Sequence, residues 1–425
     1  MNSLIRRTLT GALAVGALLA AAPLAVAAEA ATPANCFDRA APIPVEEQRL
    51  TQAVPQEILA RSGFDRRGPA FEKSLCRTRS VRAAKVLAQV QGRQLWKAAV
   101  DRVQGRGPAG GDLSRGDDRP LYWARLQLTR ALHQWQPGFP LSAADRKALV
   151  EVVETGSRGQ DSIDLPAGER AKRVVLTGFD PFQLDGDIRR TNPSGATALA
   201  LDGTYITTPA GRARVETAMF PVLWTPFEAG MVERTLLPHF KAGRKQVDLF
   251  TTVSQGRAGQ FDIERYNGRW HTGLDNNREN RASGIPIPAG LPTVTPQPEF
   301  VPTTVPYKEI TAANTGQFPV YDRTAVTEIP AGQTEPVTRP DGPTPGSVAR
   351  AGGGGSYLSN EIAYRATLLR DAVKAQMPGG HVHTPILFFD ANNKDKVSDP
   401  VLEKNRTDIV TQTREILKVA AGTLD

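Results

Sequence analysis

The stretch KRVVLTGFDPF, residues 172–182, decides the fold class of this chain. It is a short run of β-branched and apolar residues that ends in glycine and polar residues, and QVDLFTTVSQG, residues 246–256, repeats that pattern. Segments that read as helices, such as GATALALDG and FEAGMVERTLLPHF, lie between the two. Strands alternating with helices indicate an α/β layer structure, in which the loops after the carboxyl ends of strands build the functional site. We therefore expect TGFDPF and SQGRAG to line that site.

Two regions around these strands have a different character. Residues 29–165 are mostly helical in pattern, and LYWARLQLTRALHQW places Leu121, Ala124, Leu128 and Leu132 on one apolar face. Residues 284–351 are rich in proline, threonine and glycine, which predicts long loops with at most short strands. The expected organisation is thus a helical N-terminal region at 29–165 and an α/β domain at 172–425 that contains a Pro/Thr-rich insertion.

The first 28 residues have the features of a secretory signal peptide. Arg6 and Arg7 precede a run of small apolar residues that ends in an Ala25-Val26-Ala27 stretch, and Pro23 disfavours the alternative of an uncleaved membrane anchor. Loss of the two arginines lowers the formal charge from +8 to +6, and the remaining basic residues are scattered among acids. We expect a secreted, extracellular protein that binds neither nucleic acid nor membrane.

The chain has two cysteines, Cys36 and Cys76. In an exported protein they are expected to form a disulfide. Closing this loop would lower the conformational entropy of the unfolded chain and so stabilise the fold by about 4 kcal/mol. A catalytic thiol is correspondingly not expected.

Histidine and serine supply the candidates for chemistry. GGHVHTPILFF places His381 and His383 two residues apart at the start of a strand, so both side chains point to one face of the sheet. No carboxylate or cysteine cluster accompanies them, so we expect no metal and no cofactor.

In GGGGSYLSNEIAYR, Ser359 stands where a glycine-rich loop meets a helix, where a serine can act as a nucleophile or only as a helix cap. Phe179 and Phe182 could cover a small apolar ligand or fill the core.

Six motifs together resemble one known family. In chain order they are VLTGFDPF, TNPSGATALALDG, FPVLW, SQGRAGQFDIERYN, GGSYLSNE and HVHTP, and they span about residues 172–390. Their order and spacing are similar to those of the type I pyroglutamyl peptidases, or pyrrolidone carboxyl peptidases. The resemblance implies a twisted sheet between helices and removal of an N-terminal pyroglutamate from small peptides.

The resemblance also implies roles for individual residues. The family's Cys, His and Glu triad falls on Ser359, His383 and Glu264. Its substrate pocket falls on Phe179, Phe182, Gln255, Asn192 and Arg278, the last of these near the oxyanion.

Two residues depart from the family pattern: Ser359 replaces the cysteine, and Glu361 replaces a histidine. A cysteine can ionise to a thiolate before it attacks, whereas a serine hydroxyl stays protonated and must pass its proton to His383 as it attacks. The sequence therefore predicts a serine variant of the hydrolase, and leaves open a non-catalytic protein that binds pyroglutamyl or lactam ligands, or a hydrolase with a shifted substrate. It makes no prediction of oligomeric state.

Overall fold

The computed structural model describes residues 36–165 and 170–424, so the leader predicted at 1–28 lies outside the described residues. The N-terminal region is a bundle of helices tied by a disulfide between Cys36 and Cys76, whose Cα atoms are 5.8 Å apart. Its helices are α1 (Val45–Gln48), α2 (Ala53–Ser62), α3 (Arg67–Cys76), α4 (Val81–Val103), α5 (Arg119–Gln134) and α6 (Ala143–Ser157).

Helix α5 is buried on nearly all sides, beyond the single apolar face that its sequence pattern predicts. Arg119 and Arg125 lie on this helix and are 1% and 0% exposed. Charged side chains are buried like this only when they are paired. The partner of Arg125 is Asp180, which belongs to the α/β domain, so the helix packs between the bundle and that domain.

A seven-stranded mixed sheet forms the centre of the α/β domain. Its strands are β1 (Ala171–Phe179), β2 (Thr204–Thr208), β3 (Gly211–Phe220), β4 (Leu249–Gln255), β5 (Phe261–Glu264), β10 (Val320–Arg323) and β14 (Gly379–Thr384). They lie in the order β10-β5-β14-β4-β1-β3-β2. Pairing is parallel for β3-β1-β4-β14 and for β10-β5, and antiparallel for β14-β5 and β3-β2. Strand β4 is buried along its whole length, as expected for a central parallel strand covered on both faces.

Helices cover both faces of this sheet. The helices of this domain are α7 (Pro193–Leu201), α8 (Trp224–Glu228), α9 (Met231–Phe240), α10 (Tyr307–Ala312), α11 (Leu358–Ala372) and α12 (Pro400–Gly422). One apolar core joins the sheet to the N-terminal bundle and to α12, and a second joins it to α9 and α11. A mixed sheet flanked by helices and preceded by a helical region confirms the predicted fold class.

The Pro/Thr-rich segment, residues 284–351, carries short strands. One of them, β10, joins the edge of the main sheet, β9 pairs with the preceding strand β6, and β11, β12 and β13 form a three-stranded sheet of their own. These small sheets contain β6 (Tyr266–Gly268), β7 (Trp270–Leu274), β8 (Asn280–Gly284), β9 (Phe300–Pro302), β11 (Val326–Ile329), β12 (Val337–Arg339) and β13 (Val348–Ala351). Within residues 36–165 and 170–424, no helix combines the length and apolarity needed to cross a bilayer.

Candidate active site

A cavity of about 760 Å³ lies at the carboxyl ends of the parallel strands. The ends of β1, β4 and β14 bring Phe179, Gln255 and His383 to its wall, and the start of α11 adds Ser359. Residues far apart in the sequence meet here because parallel strands end at the same edge of a sheet.

A buried carboxylate orients His383. Its Nδ1 lies 2.7 Å from Oε1 of Glu264. The two side chains are 3% and 0% exposed. Glu264 comes from β5, which runs antiparallel to β14 and pairs Glu264 with His381 in register, so the contact with His383 is diagonal across the two strands. The ring tautomer that donates Nδ1–H to the carboxylate leaves Nε2 as an acceptor, and Nε2 makes no hydrogen bond with a described residue.

The second carboxylate oxygen of Glu264 is buried and accepts no hydrogen bond from a described residue. Most buried carboxylate oxygens have a partner. Among the described residues, His383 is therefore the side chain with which this carboxylate forms a hydrogen bond.

The glycine-rich loop packs directly on the Glu264–His383 pair. A Cβ at Gly353 would overlap the free oxygen of Glu264, and a Cβ at Gly354 would overlap the imidazole of His383. On another side of the ring, a Cβ at Gly256 would come within 2.7 Å of His383 Cβ. Glycine is therefore required at these positions by the close approach of the backbone.

Ser359 is the second residue of helix α11 and is half-buried in the cavity wall. The helix has Tyr357 as its N-cap, so Ser359 is not the cap residue. Its hydroxyl makes no hydrogen bond with a described residue. The unpaired N–H groups and the positive dipole end of the first turn lie beside it, which favours negative charge there.

Asn360 holds the start of this helix in place. Its side-chain oxygen accepts from Gly268 N at 2.8 Å, and its Nδ2 donates to the carbonyl oxygens of Gly268 at 2.8 Å and Trp270 at 3.0 Å. Three hydrogen bonds to two backbone residues leave little freedom for the neighbouring Ser359.

His381 lies on the same face as His383, as the spacing predicts, with ring centroids 4.6 Å apart. It is fully buried, and its two nitrogens pair with Thr252 Oγ1 at 2.7 Å and Ser254 Oγ at 2.8 Å. Burial and then the charge of His383 hold the pKa of His381 well below its usual 6.5. His381 is therefore a neutral, hydrogen-bonded core residue, and the described part of the chain contains no group of three or more side chains suited to a metal ion.

The two phenylalanines have different environments. Phe179 is 3% exposed and stacks on Phe227, so it fills the core beneath the cavity as well as lining it. Phe182 is half-buried and faces the ring of Tyr357 at 5.9 Å. Tyr357, which sequence reasoning missed, also lines the cavity and donates its hydroxyl to Leu274 O at 2.7 Å.

Gln255 adds a further polar group with free hydrogen-bonding capacity to the wall. Its side-chain oxygen is buried and unpartnered among the described residues.

Asn192 and Arg278 lie in the cavity wall, but their polar groups are engaged elsewhere. Asn192 caps α7 by accepting from Ser194 N at 3.1 Å, and it donates to Asp180 O at 2.8 Å. Arg278 is paired with Asp185 at 2.9 Å and its side chain is 60% exposed. The structure thus gives Asn192 a role in shaping the loops and places Arg278 at the rim of the cavity.

The N-terminal region contributes to the cavity, which no motif of the sequence indicated. Arg49, just after α1, lines it and donates to Asn276 O at 2.8 Å and to Asp185 at 2.9 Å. Glu46 of α1 accepts from Tyr122 at 2.8 Å and from the side chain of Asn276 at 3.0 Å. Residues of the helical bundle therefore hold the loop that forms one wall of the cavity.

The loop after β1 is held in the same way. Asp180 is fully buried and accepts two hydrogen bonds from Arg125, at 2.8 and 2.9 Å, and a further one from Arg158. Asp118, just before α5, accepts from Asn192 N at 2.9 Å and from Thr191. These contacts fix the position of the loop that carries Phe179 and Phe182.

The burial of Glu46 is expected to make the free energy of unfolding depend on pH. Burial, together with the nearby charge of Asp180, raises its pKa to about 7 from the usual 4.5. A carboxyl whose pKa is higher in the folded state favours the fold most below its unfolded pKa, and that contribution is lost as the pH rises through 7. Replacing Glu46 by Gln removes the titration and keeps an acceptor oxygen.

We expect urea denaturation to show that, between pH 4.5 and pH 8, the unfolding free energy of the wild type falls by about 3 kcal/mol relative to Glu46→Gln. Glu57→Gln is the matched control, because Glu57 is an exposed glutamate of the same region, and it should leave the difference from wild type constant. A constant difference for Glu46→Gln as well would contradict the raised pKa.

The fold and the cavity define an α/β protein with a buried His–Glu pair at the carboxyl edge of its sheet, supported by an N-terminal helical region. Residues 27–154 match the family described as PA0049 N-terminal domain, and residues 173–320 and 305–388 match PA0049, C-terminal domain. The chain is 34% identical to Uncharacterized protein PA0049 of Pseudomonas aeruginosa strain PAO1, over 98% of this chain and 96% of that protein. The chain therefore belongs to the PA0049 family.

Solved structures of pyrrolidone carboxyl peptidases are similar to part of the chain. A mutant pyrrolidone carboxyl peptidase from the hyperthermophile Pyrococcus furiosus matches with 20% identity and a TM-score of 0.39, over 58% of this chain and 97% of that one. Pyroglutamyl peptidase I from Bacillus amyloliquefaciens matches with 20% identity and a TM-score of 0.38, over 60% of this chain and 95% of that one.

Proposed function

We propose that this protein is a hydrolase that removes N-terminal pyroglutamate from small peptides, with Ser359 as nucleophile, His383 as general base and Glu264 as the group that orients it. The observation that carries the proposal is the 2.7 Å contact between His383 and a buried Glu264 at the wall of a cavity that also contains Ser359. The six sequence motifs described above support the choice of substrate, because their residues gather around this one cavity.

In the proposed reaction, Ser359 Oγ attacks the carbonyl carbon that links the pyrrolidone ring to the next residue. Its proton passes to Nε2 of His383, and the buried carboxylate of Glu264 stabilises the imidazolium that results. The first turn of α11 stabilises the oxyanion through its N–H groups and dipole. His383 then protonates the leaving amine, and water, activated by the same histidine, releases pyroglutamate from the acyl-serine.

The glycine-rich loop contributes less to the oxyanion site than its composition suggests. The N–H groups of Gly352 and Gly355 donate to backbone carbonyls of the loop itself, and that of Gly353 donates to Tyr266 O of β6. The main role of these glycines in the proposed site is to let the loop approach His383 and Glu264.

The substrate ring fits the polarity of the wall. A lactam presents one N–H donor and one carbonyl acceptor on a flat, mostly apolar ring. The unpartnered side-chain oxygen of Gln255 can accept the ring N–H, and Phe179 and Phe182 supply apolar surface.

Release of a fluorescent amine from a pyroglutamyl amide by the purified protein tests the proposal. We expect turnover, and we expect Glu264→Gln to lower kcat by about 10²-fold, because a neutral amide stabilises the imidazolium poorly. Glu299→Gln is the matched control, because Glu299 is a partly exposed glutamate outside the cavity, and this variant should preserve kcat. Equal turnover by Glu264→Gln and wild type would remove Glu264 from the mechanism.

A second candidate is a binding protein that keeps the cavity without turnover. The observation that favours it is the absence of a hydrogen bond between Ser359 and His383 among the described residues. Calorimetry with a pyroglutamyl dipeptide separates the two: saturable binding without product over hours supports the binding protein, while product formed in proportion to protein supports the hydrolase.

We also propose that the protein is exported, on the basis of the N-terminal leader and the paired cysteines. N-terminal sequencing of the protein recovered from the producing cells and from their medium tests this. A mature N-terminus close to residue 28 is expected, and an intact Met1 on all recovered protein would contradict it.

A further inference from the structure

A second set of Ser, His and Glu side chains lies outside the candidate cavity. Nδ1 of His271 is 2.7 Å from Oε2 of Glu361, and Nε2 of His271 is 2.8 Å from Oγ of Ser283. His271 and Glu361 are fully buried, whereas Ser283 is exposed. Sequence reasoning noted Glu361 only as a departure from a family pattern and assigned no role to the other two residues.

Local structure explains why these groups meet. Strands β7 and β8 form a two-stranded antiparallel ribbon in which His271 lies directly opposite Ser283. Glu361 lies on α11, two residues after Ser359, so the two side chains leave the helix about 200° apart. One helix therefore presents Ser359 to the cavity and Glu361 to the ribbon.

The acid and the imidazole are both held rigidly. The other oxygen of Glu361 pairs with Arg365 at 2.7 Å, and Arg365 pairs in turn with Glu233 at 2.9 Å, all of them buried. The Trp224 ring makes a T-shaped contact with His271, with centroids 5.1 Å apart. Such an arrangement keeps one carboxylate oxygen aimed at Nδ1 and leaves the imidazole little rotational freedom.

We propose that Ser283 is a second nucleophilic serine, activated by His271 and Glu361, that accepts acyl, sulfonyl or phosphonyl groups from small activated donors such as aryl esters. In the tautomer that donates Nδ1–H to Glu361, Nε2 accepts the hydroxyl proton of Ser283. This site is independent of the hydrolytic function proposed for Ser359, and its position on an exposed ribbon suits small donors with unhindered reactive centres.

The step balances as an ordinary substitution. Ser283 Oγ forms a bond to the electrophilic carbon, sulfur or phosphorus, the hydroxyl proton passes to Nε2 of His271, and the leaving group departs with the electron pair of its broken bond. With an acyl donor, water activated by the same histidine then releases the acid and restores Ser283.

The contrast with Ser359 supports the assignment. Ser283 already has the hydrogen bond to an acid-paired histidine that identifies an activated nucleophile, while Ser359 makes no hydrogen bond with a described residue. The proposed reactivity at Ser283 therefore requires no rearrangement of side chains.

Phenylmethanesulfonyl fluoride, applied to the purified protein and followed by peptide mass spectrometry, tests this proposal. We expect one sulfonyl adduct on the peptide that contains Ser283, retained in Ser359→Ala and lost in Ser283→Ala. His271→Gln, checked for folding by circular dichroism, should slow labelling by about 10²-fold or more. Ser80 is the internal control, since it is also exposed but its hydroxyl accepts only a backbone N–H.

Labelling of Ser283 no faster than Ser80 in the folded wild type would overturn the proposal, and this comparison needs no variant. An adduct found on Ser359 and not on Ser283 would overturn it too, while leaving the proposed hydrolase intact. If Ser359→Ala loses turnover of the pyroglutamyl amide while its Ser283 is labelled at the wild-type rate, the two serines react independently, which supports the proposal.

Discussion

Ser359→Ala is expected to lower kcat/KM for a pyroglutamyl amide by about 10³-fold or more. The variant removes the atom that forms the acyl-enzyme bond, whereas His383 and Glu264 stay in contact at 2.7 Å. The residual rate would come from water activated by His383 and from the first turn of α11, which still stabilises an oxyanion. Steady-state kinetics with the fluorescent amide measure the loss.

The fold should survive this substitution. Ser359 is half-buried and its hydroxyl makes no hydrogen bond with a described residue, and alanine is a good helix former near the start of α11. A thermal melt within about 2–3 °C of wild type is expected, which is the size of shift that a surface substitution causes. Retention of wild-type turnover by a folded Ser359→Ala variant would exclude Ser359 as the nucleophile.

Ser359→Cys distinguishes a poor nucleophile from an unsuitable cavity. A thiol in this position, in the same cavity wall as His383, can ionise at neutral pH, which a hydroxyl cannot do. If the wild type is inactive and the cysteine variant turns over, the cavity binds the substrate and the serine limits the chemistry.

The α/β fold and the position of the site could be predicted from the sequence because both depend on short, contiguous patterns. The apolar run before TGFDPF indicates a buried parallel strand, and the spacing of His381 and His383 places both rings on one face. The separate environments of these two histidines could not be predicted. They depend on Thr252 and Ser254 of the neighbouring strand, which pair with both ring nitrogens of His381, and on Glu264 of the other neighbour, which orients His383.

Local sequence patterns could not predict that the helical region holds the loops of the cavity. Arg49 and Asn276 are 227 residues apart, and nothing near either residue indicates the other. The same is true of the contact between His271 and Glu361, which are 90 residues apart. Buried polar contacts between distant segments have no sequence periodicity, so they can be recognised only once the fold brings the segments together.

The buried arginines give the helical region a specific function in this fold, because they keep the cavity loops in one conformation. Asp180 sits in the loop between Phe179 and Phe182 and receives its hydrogen bonds from Arg125 on α5 and Arg158 after α6. A fully buried carboxylate without these partners would carry a large desolvation penalty. The loop and the bundle are therefore expected to order together.

Arg125→Met should accordingly destabilise the protein by about 3–5 kcal/mol, since it leaves Asp180 with Arg158 as its remaining cationic partner. Urea denaturation measures this loss. Arg130→Met is the matched control: Arg130 is on the same helix, is half-buried, and forms no ion pair with a described residue, so its replacement should cost less than about 1 kcal/mol.

A double-mutant cycle with Asp180→Asn separates loss of the ion pair from loss of packing, because a neutral side chain at residue 180 no longer needs the guanidinium. If Arg125 acts through Asp180, Arg125→Met should cost much less in the Asp180→Asn background, and both single variants should weaken binding of a pyroglutamyl dipeptide through displacement of Phe179 and Phe182. Equal costs of Arg125→Met in the two backgrounds would mean that the arginine stabilises the bundle alone, and that the loop takes its conformation without help from the N-terminal region.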